Sequence, residues 1–275
     1  MSRLTPLLAE SRTLVMGVLN VTPDSFSDGG QFFSVDSAKR QAIQMIEQGA
    51  DIIDVGGEST RPAAEIVSPA IEIDRVLPVI SGIRAEFDVC ISVDTSTPEV
   101  MQAAADSGVD LINDVRALRR DNALEVARQT GLPICLMHMK GDPGTMQLDP
   151  RYEDLILEIN QFFDERISRC EDAGIPRDRL LLDPGFGFGK TPEHNLRIVN
   201  RLASFLEHGL PLLVGLSRKS TIAKITEDLL IGSVAGAMIA VANGASIVRV
   251  HDVSETVNAL RVSAAISRES LEEKE

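Results

Sequence analysis

The sequence predicts an α/β protein that folds as a single-domain (β/α)8 TIM barrel, and three observations lead to that fold class. Eight short apolar segments alternate with helical patterns along 275 residues, a length common for one barrel. The apolar segments are continuous, which is typical of parallel strands covered on both faces. A helical pattern that ends on glycine and leads directly into a strand recurs at Gly49, Gly108, Gly131, Gly209 and Gly244.

The strands are expected near 14–21, 51–57, 90–95, 111–115, 133–139, 180–185, 211–217 and 247–253. Two helical patterns, 218–226 and 231–243, follow the seventh strand, so we expect an extra helix before the eighth. An open doubly wound sheet with glycine-rich loops is the alternative fold. Because no linker interrupts the series, we predict one domain over 1–275, with the acidic end 269–275 frayed.

Composition and charge exclude several classes of protein. A formal net charge of −14 opposes binding to nucleic acid or to an anionic membrane surface. The N-terminal segment lacks the features of a signal peptide, and no apolar run reaches membrane-spanning length, so we expect a soluble, cytoplasmic protein. Cys90, Cys135 and Cys170 are far apart and form no zinc or redox motif, which indicates buried thiols in a reducing compartment.

Polar side chains cluster at the predicted C-terminal ends of the strands, where barrels of this class carry their active sites. Any one of them alone would be read as the cap of a helix or turn. Asp94, Asp183 and Arg249, however, lie against or within apolar segments, where a buried charge needs a partner or a ligand. The rim as a whole therefore predicts a site. Its members are Asn20, 58–61, Asp94, Asn113, Asp114, His138, Asp183, 217–220, Arg249, His251 and Asp252.

Three of the loops on this rim have distinctive compositions. The loop 20–30 ends in two glycines and has Phe26 and Asp28 near its tip, which suits a lid over a substrate, and 56–62 has the same character. The loop 183–190 interleaves glycines with phenylalanines, so we expect its backbone close to a flat ligand and Phe188 in aromatic contact. It is not a nucleotide phosphate loop, because Pro184 stands where that motif requires glycine.

The segment 217–220 ends a strand and opens a helix, whose free N–H groups favour an anion such as a carboxylate or a phosphate. A solvated basic helix start is the plainer alternative. His138 lies between two methionines and is more typical of a packed strand-end histidine than of a ligand. No set of His, Asp and Glu residues has the spacing of a protein-built zinc site.

Five segments in order, 20–30, 54–62, 183–190, 215–220 and 249–252, resemble those of bacterial dihydropteroate synthases, and the resemblance covers nearly the whole chain. It implies condensation of 6-hydroxymethyl-7,8-dihydropterin diphosphate with 4-aminobenzoate, giving 7,8-dihydropteroate and diphosphate in folate biosynthesis. It further implies Mg²⁺ as cofactor, a homodimer, and competition by sulfonamides at the aminobenzoate pocket.

The resemblance also implies a role for each matching residue. The pterin would be bound by Asp94, Asn113, Asp183 and Lys219. The diphosphate would be bound by Asn20, Arg61, Arg249 and His251, with Asn20 acting through magnesium. Aminobenzoate would contact Phe26, Thr60, Pro62, Phe188, Lys219 and Ser220. Catalysis would depend on Asn20, Phe26, Asp28, Arg61 and Lys219.

The implied reaction is dissociative: the carbon–oxygen bond breaks before the neutral arylamine attacks, and electrostatic stabilisation of the leaving diphosphate does most of the work. Two other functions remain open at this point. A pterin-dependent methyltransferase would use a similar pterin grip, but it has no need of the diphosphate cations Arg61, Arg249 and His251. A catalytically silent pterin-binding paralogue is opposed by the intact loop residues Asn20 and Phe26.

Overall fold

The structure, a computed structural model, describes residues 2–22, 35–58, 67–141 and 144–271. Eight strands lie close to the predicted positions. They are β1 Leu14–Asn20, β2 Ile52–Gly56, β3 Cys90–Asp94, β4 Leu111–Asp114, β5 Ile134–Met137, β6 Leu180–Asp183, β7 Leu213–Val214 and β8 Ile247–Val250.

All strand pairs are parallel, and the sheet order is β6-β5-β4-β3-β2-β1-β8-β7. A parallel bridge between Leu182 in β6 and Leu212, directly before β7, joins the two edges of the sheet. Because the ring closes there, the predicted (β/α)8 barrel is confirmed and the open doubly wound sheet is wrong.

Helices separate the strands and cover the outside of the barrel. All five glycines predicted to end helices adopt positive φ values between 66° and 102°, a region that residues other than glycine rarely adopt. The extra helix after the seventh strand is confirmed as α9. The helices are α1 Leu4–Leu8, α2 Val35–Glu47, α3 Pro69–Glu86, α4 Pro98–Asp106, α5 Ala123–Thr130, α6 Leu155–Asp172, α7 Pro192–Asn200, α8 Ser220–Ala223, α9 Leu229–Ala242 and α10 Val253–Arg268.

The barrel interior is built in layers, because successive side chains of a strand point to opposite faces of the sheet. The lowest layer is an apolar cluster sealed from below by Leu4 of α1. Each strand then presents its next inward side chain two residues further along, and several of these are polar. The lower layer comprises Leu14, Met16, Ile52, Cys90, Leu111, Cys135, Leu181, Leu213 and Ile247. The polar layer above it includes Asp54, Ser92, Asn113, Asp183 and Arg249.

A second, larger apolar cluster lies between the outward faces of the strands and the surrounding helices. Within the described ranges, no helix is both long and apolar enough to cross a membrane. Most of the end 269–275, for which fraying is predicted, lies outside the described residues. The polar side chains that face the barrel interior lie toward the C-terminal ends of the strands, above the apolar lower layer.

Candidate active site

The site begins with a row of residues in register across four neighbouring strands. Asn20 pairs with Gly56, Gly56 with Asp94, and Asp94 with Asn113. A Cβ atom on Gly56 would lie 3.4 Å from the Asp94 Cβ and 3.5 Å from the Asn20 Oδ1. The glycine therefore leaves open a space in which the amide oxygen of Asn20 and the carboxylate of Asp94 converge.

Arg249 carries a positive charge into this layer. Its Nε donates to the Asp54 Oδ2 at 2.6 Å, and its Nη2 donates to the Asp94 Oδ2 at 2.9 Å. The Asn113 Nδ2 donates to the same Asp54 oxygen at 3.2 Å. Two carboxylates, one guanidinium and one amide thus form a continuous network at the floor of the barrel mouth.

Asp54 was missed by the sequence reasoning, although the structure places it at the centre of this network. It is fully buried, and its Oδ1 has no hydrogen-bond partner in the described part of the chain. The available signal was an acidic residue inside the apolar run 52–55, the same signal that singled out Asp94 and Asp183. A buried acceptor without a protein partner is expected to accept a hydrogen bond from a ligand N–H group or from a water molecule.

Burial changes the pKa values of the groups in the mouth. It raises the pKa of Asp94 to about 7, and the nearby Arg249 opposes the shift. It also raises the pKa of Asp183, against the opposing charge of Lys219. The pKa of Lys219 falls to about 8 because the ammonium is desolvated. Perturbed carboxyl and amine groups of this kind, gathered in one cleft, are typical of functional sites.

The loop after β6 brings Asp183, Phe188 and Lys219 together. Asp183 accepts a 2.7 Å hydrogen bond from the Gly185 N–H, which turns the chain across the mouth. The Lys219 Nζ donates to the Phe186 carbonyl at 2.5 Å and lies 4.6 Å from the centre of the Phe188 ring. Phe188 and the lysine stem therefore form an aromatic and apolar wall beside the polar floor.

His251 follows β8, which is the neighbour of β7 in the sheet, and is held by Ser217. The Ser217 Oγ lies 3.0 Å from the His251 Nδ1 and accepts the His251 N–H at 3.2 Å. Burial, reinforced by Arg249, lowers the pKa of His251 to about 4. The imidazole is thus neutral near pH 7 and offers a hydrogen bond rather than a positive charge to an anion.

The remaining polar strand ends have local partners. Asp114 accepts from the Arg116 and Leu118 N–H groups at 2.8 Å and 2.7 Å, so it holds the turn after β4. Asp252 pairs with the Arg218 guanidinium. The plain interpretation, a turn or cap role, therefore holds for Asp114, whereas the Asp252 side chain makes no cap hydrogen bond to α10 and forms an ion pair instead.

The structure brings Asn20, Asp94, Asn113, Asp183, Phe188, Lys219, Ser220, Arg249 and His251 to the same end of the barrel, as predicted. Ser220 is exposed at the start of α8, a helix of a single turn. The other predicted site residues, Phe26, Asp28, Thr60, Arg61 and Pro62, lie outside the described residues.

Among the residues that the structure describes, no cluster of three or more His, Cys, Asp or Glu side chains is arranged to hold a metal ion. The oxygen donors in the Gly56 space are Asn20 and Asp94. A protein site with one amide oxygen and a nearby carboxylate suits Mg²⁺, which commonly keeps several waters and takes further oxygens from substrate phosphates. The residues present therefore fit magnesium that is brought with a diphosphate.

The chain is similar to known proteins over most of its length. A family model described as pterin binding enzyme matches residues 16–251. The chain is 56% identical over 255 residues to the dihydropteroate synthase of Escherichia coli (strain K12), covering 91% of this chain and 90% of that protein.

Solved structures of dihydropteroate synthases superpose closely on the chain. A Yersinia pestis dihydropteroate synthase in complex with a sulfonamide drug superposes with a TM-score of 0.91 at 51% identity, covering 94% of this chain and 95% of that one. A Xanthomonas albilineans dihydropteroate synthase in complex with 7,8-dihydropteroate gives a TM-score of 0.86 at 43% identity, covering 94% of both chains.

The pKa of Asp94 predicts a measurable pH dependence of stability. An aspartate in the unfolded chain loses its proton near pH ~4, whereas folded Asp94 does so at about 7. Between these pH values the folded protein binds the extra proton, so the contribution of Asp94 to stability is lost as the pH rises. An asparagine at this position stays neutral, so we expect the free energy of unfolding of Asp94→Asn, relative to the parent, to increase with pH across this window.

Urea unfolding at several pH values between about 4 and 8 measures this difference, with Asp106→Asn on the exposed end of α4 as the control. A relative stability that falls as the pH rises would mean that Arg249 outweighs burial and keeps Asp94 ionised.

Proposed function

The chain belongs to the dihydropteroate synthase family of pterin-binding enzymes, and we propose that it joins 6-hydroxymethyl-7,8-dihydropterin diphosphate to 4-aminobenzoate, releasing diphosphate. The observation that carries the proposal is the network of Asp54, Asp94, Asn113 and Arg249. Its oxygens would accept from a pterin, and its guanidinium would bind the diphosphate beside it. The product would be 7,8-dihydropteroate, a folate precursor.

The pterin would lie on the floor formed by Asp94, Asn113, Asp183 and Lys219. The amino-pyrimidinone edge of a pterin presents N–H donors, which carboxylate and amide oxygens accept. Asp183 is buried at the end of β6, and Lys219 reaches across the mouth to the Phe186 carbonyl. The Asp54 Oδ1, which has no hydrogen-bond partner among the described residues, adds an acceptor below this floor.

The diphosphate would be held by Arg249 and His251, together with Asn20 and, from the loop outside the described residues, Arg61. Arg249 is preorganised because two carboxylates fix its Nε and Nη2. His251, neutral near pH 7, would donate a hydrogen bond to a phosphate oxygen. Asn20 would help to hold magnesium, whose charge would neutralise part of the charge on the leaving group.

The described residues then favour a dissociative substitution. Arg249 stabilises charge that grows on the diphosphate as the carbon–oxygen bond breaks, and the pterin ring spreads the positive charge left on the methylene carbon. The aniline nitrogen of aminobenzoate is neutral and nucleophilic, so no strong general base is required. Its ring would pack against Phe188 and the stem of Lys219, whose Nζ lies 4.6 Å from the centre of the Phe188 ring, with its carboxylate near Ser220. Phe26, Thr60 and Pro62 would complete this pocket, and closed loops would exclude water.

The decisive experiment is a direct assay of product formation. With magnesium, the pterin diphosphate and 4-aminobenzoate, we expect the protein to form 7,8-dihydropteroate, detected by chromatography and mass. A sulfonamide should raise the apparent KM for aminobenzoate without changing kcat at saturation, since both would occupy one pocket. Pterin binding without product would instead support a silent or methyltransferase function.

Replacing the guanidinium tests the diphosphate role separately. Arg249→Ala should weaken binding of the pterin diphosphate about 10- to 100-fold, because charge-assisted hydrogen bonds contribute about 1.5–3 kcal/mol each. Free pterin should lose much less affinity, since its acceptors remain. Isothermal titration of both ligands, with Arg218→Ala as a control that breaks only the pair with Asp252, measures the difference. Equal losses for the two ligands would contradict the assigned role.

We further propose that the protein is a homodimer joined through α9 and α10. These helices pack side by side and leave large apolar side chains in solvent, namely Ile231, Ile239, Val262 and Ile266. Exposed apolar groups on adjacent helices favour burial against a second copy of the same surface. Light scattering should give a dimeric mass for the parent and a monomeric mass for Ile239→Glu combined with Val262→Glu, and a monomeric parent would rule the dimer out.

A further inference from the structure

Lys190 is a buried lysine outside the floor and the diphosphate group, and only 2% of its surface is exposed. Its Nζ lies 2.8 Å from the His138 Nδ1, 3.3 Å from the His138 carbonyl oxygen and 3.0 Å from the Phe188 carbonyl oxygen. Burial lowers the pKa of Lys190 well below its usual value. As an ammonium or as a neutral amine the Nζ can make three hydrogen bonds, so these three groups match its hydrogen-bonding capacity. A lysine that satisfies all its donors on backbone and ring acceptors acts as a cross-link between two segments of chain.

The two segments are the end of β5 and the loop after β6. His138 also donates its backbone N–H to the Asp183 carbonyl at 2.8 Å. The segments are therefore joined at Asp183, where the loop begins, and at Lys190, where it ends. Burial lowers the pKa of His138 well below its usual value, which leaves the imidazole neutral and able to accept from Lys190. His138 thus has a use that its packed position between methionines did not reveal.

The backbone of the loop after β6 packs closely against the residues that follow β5, which leaves the loop little room to move. A Cβ atom on Gly185 would lie 1.9 Å from the His138 carbonyl oxygen, and one on Gly189 would lie 2.3 Å from the Lys140 carbonyl oxygen. The Tyr152 hydroxyl also donates to the Gly189 carbonyl at 2.8 Å. The loop backbone therefore packs directly on the backbone after β5, and the Lys190 side chain joins the two segments at the end of the loop.

The part of the loop held in this way is the part that carries Phe188. Lys190 bonds to the Phe188 carbonyl, while the Phe188 ring packs on an apolar cluster and lies 4.6 Å from the Lys219 Nζ. The cluster comprises Val115, Met137, Met139 and Met146. A shift of the Phe188 backbone would move the ring away from the Lys219 stem, whereas Asp94 and Asn113 on other strands would stay in place.

We propose that Lys190 and His138 are positioning residues that set Phe188 for aminobenzoate, an inference that rests on the proposed function. They do not touch a substrate. They fix one wall of the aminobenzoate pocket without contributing to the pterin floor, so their loss affects the two substrates unequally.

Lys190→Met tests this by removing the three donors while keeping an unbranched apolar stem. We expect the KM for 4-aminobenzoate to rise about tenfold, the equivalent of one or two lost hydrogen bonds. The dissociation constant of the pterin diphosphate, measured by titration calorimetry, should change less than about twofold. Lys140→Met is the matched control, since this nearby lysine is exposed and bonds to Glu158 and the Arg151 carbonyl.

Variants of the partner separate positioning from simple loss of stability. His138→Asn keeps an acceptor near the Nδ1 position and should retain a KM for aminobenzoate close to that of the parent. His138→Leu cannot accept a hydrogen bond and should resemble Lys190→Met. Because the two residues form one link, the double variant Lys190→Met with His138→Leu should be no worse than either single variant.

Hydrogen–deuterium exchange of peptides spanning 183–190 provides a readout that does not depend on activity. Exchange should be faster in Lys190→Met and His138→Leu, and unchanged in Lys140→Met. Unchanged exchange, or equal losses of affinity for both substrates, would overturn the proposal. If the parent forms no dihydropteroate with both substrates saturating, the proposed function fails, while the exchange result still decides whether the pair holds the loop.

Discussion

Arg249 carries a guanidinium into the interior of a closed barrel and bonds there to the carboxylates of Asp54 and Asp94. A buried cation of this kind is costly unless its partners are well placed. Three strands supply the network, β8 through Arg249, β2 through Asp54 and β3 through Asp94, so it depends on the pairing of these strands through β1. Asn113 adds a fourth strand by donating to Asp54. The rest of the active site is arranged around this pair of ionic contacts.

The layered interior explains why the polar network lies where it does. Inward-facing side chains alternate along each strand, and the lower apolar layer fills the base of the barrel while Leu4 closes it. The next inward position on each strand can be polar because it lies nearer the open end, where a ligand or water satisfies what the protein does not. The apolar base therefore supports stability, and the polar layer above it supports binding.

The site has two regions with different mechanical support. The floor residues Asp94 and Asn113 stand on strands and are fixed by sheet register. Phe188 stands on a loop, which has no such register and needs local bonds to hold it. The contacts of Lys190 with His138 and with the Phe188 carbonyl supply them. The glycines of the loop allow its backbone to pack on the residues that follow β5, and Lys190 then fixes the end of the loop.

The sequence by itself determined the barrel, its eight strands, the extra helix and most of the rim, because these follow from local patterns. Continuous apolar runs, glycines at helix ends and charges such as Asp94 and Arg249 beside apolar segments all act over a few residues. It also indicated the family, since five separate segments match it in order.

Only the tertiary structure decided which polar residues are partners. Asp54 and Arg249 are far apart in the sequence but share a 2.6 Å hydrogen bond, and no local pattern encodes that contact. The structure likewise separated Asp114, which holds a turn, from Asn113, its neighbour in the network. It also paired His138 with Lys190 and left His251 neutral, because burial and the charges of distant strands decide what each imidazole can do. Local sequence places a side chain on the rim, whereas closure of the barrel determines what it meets there.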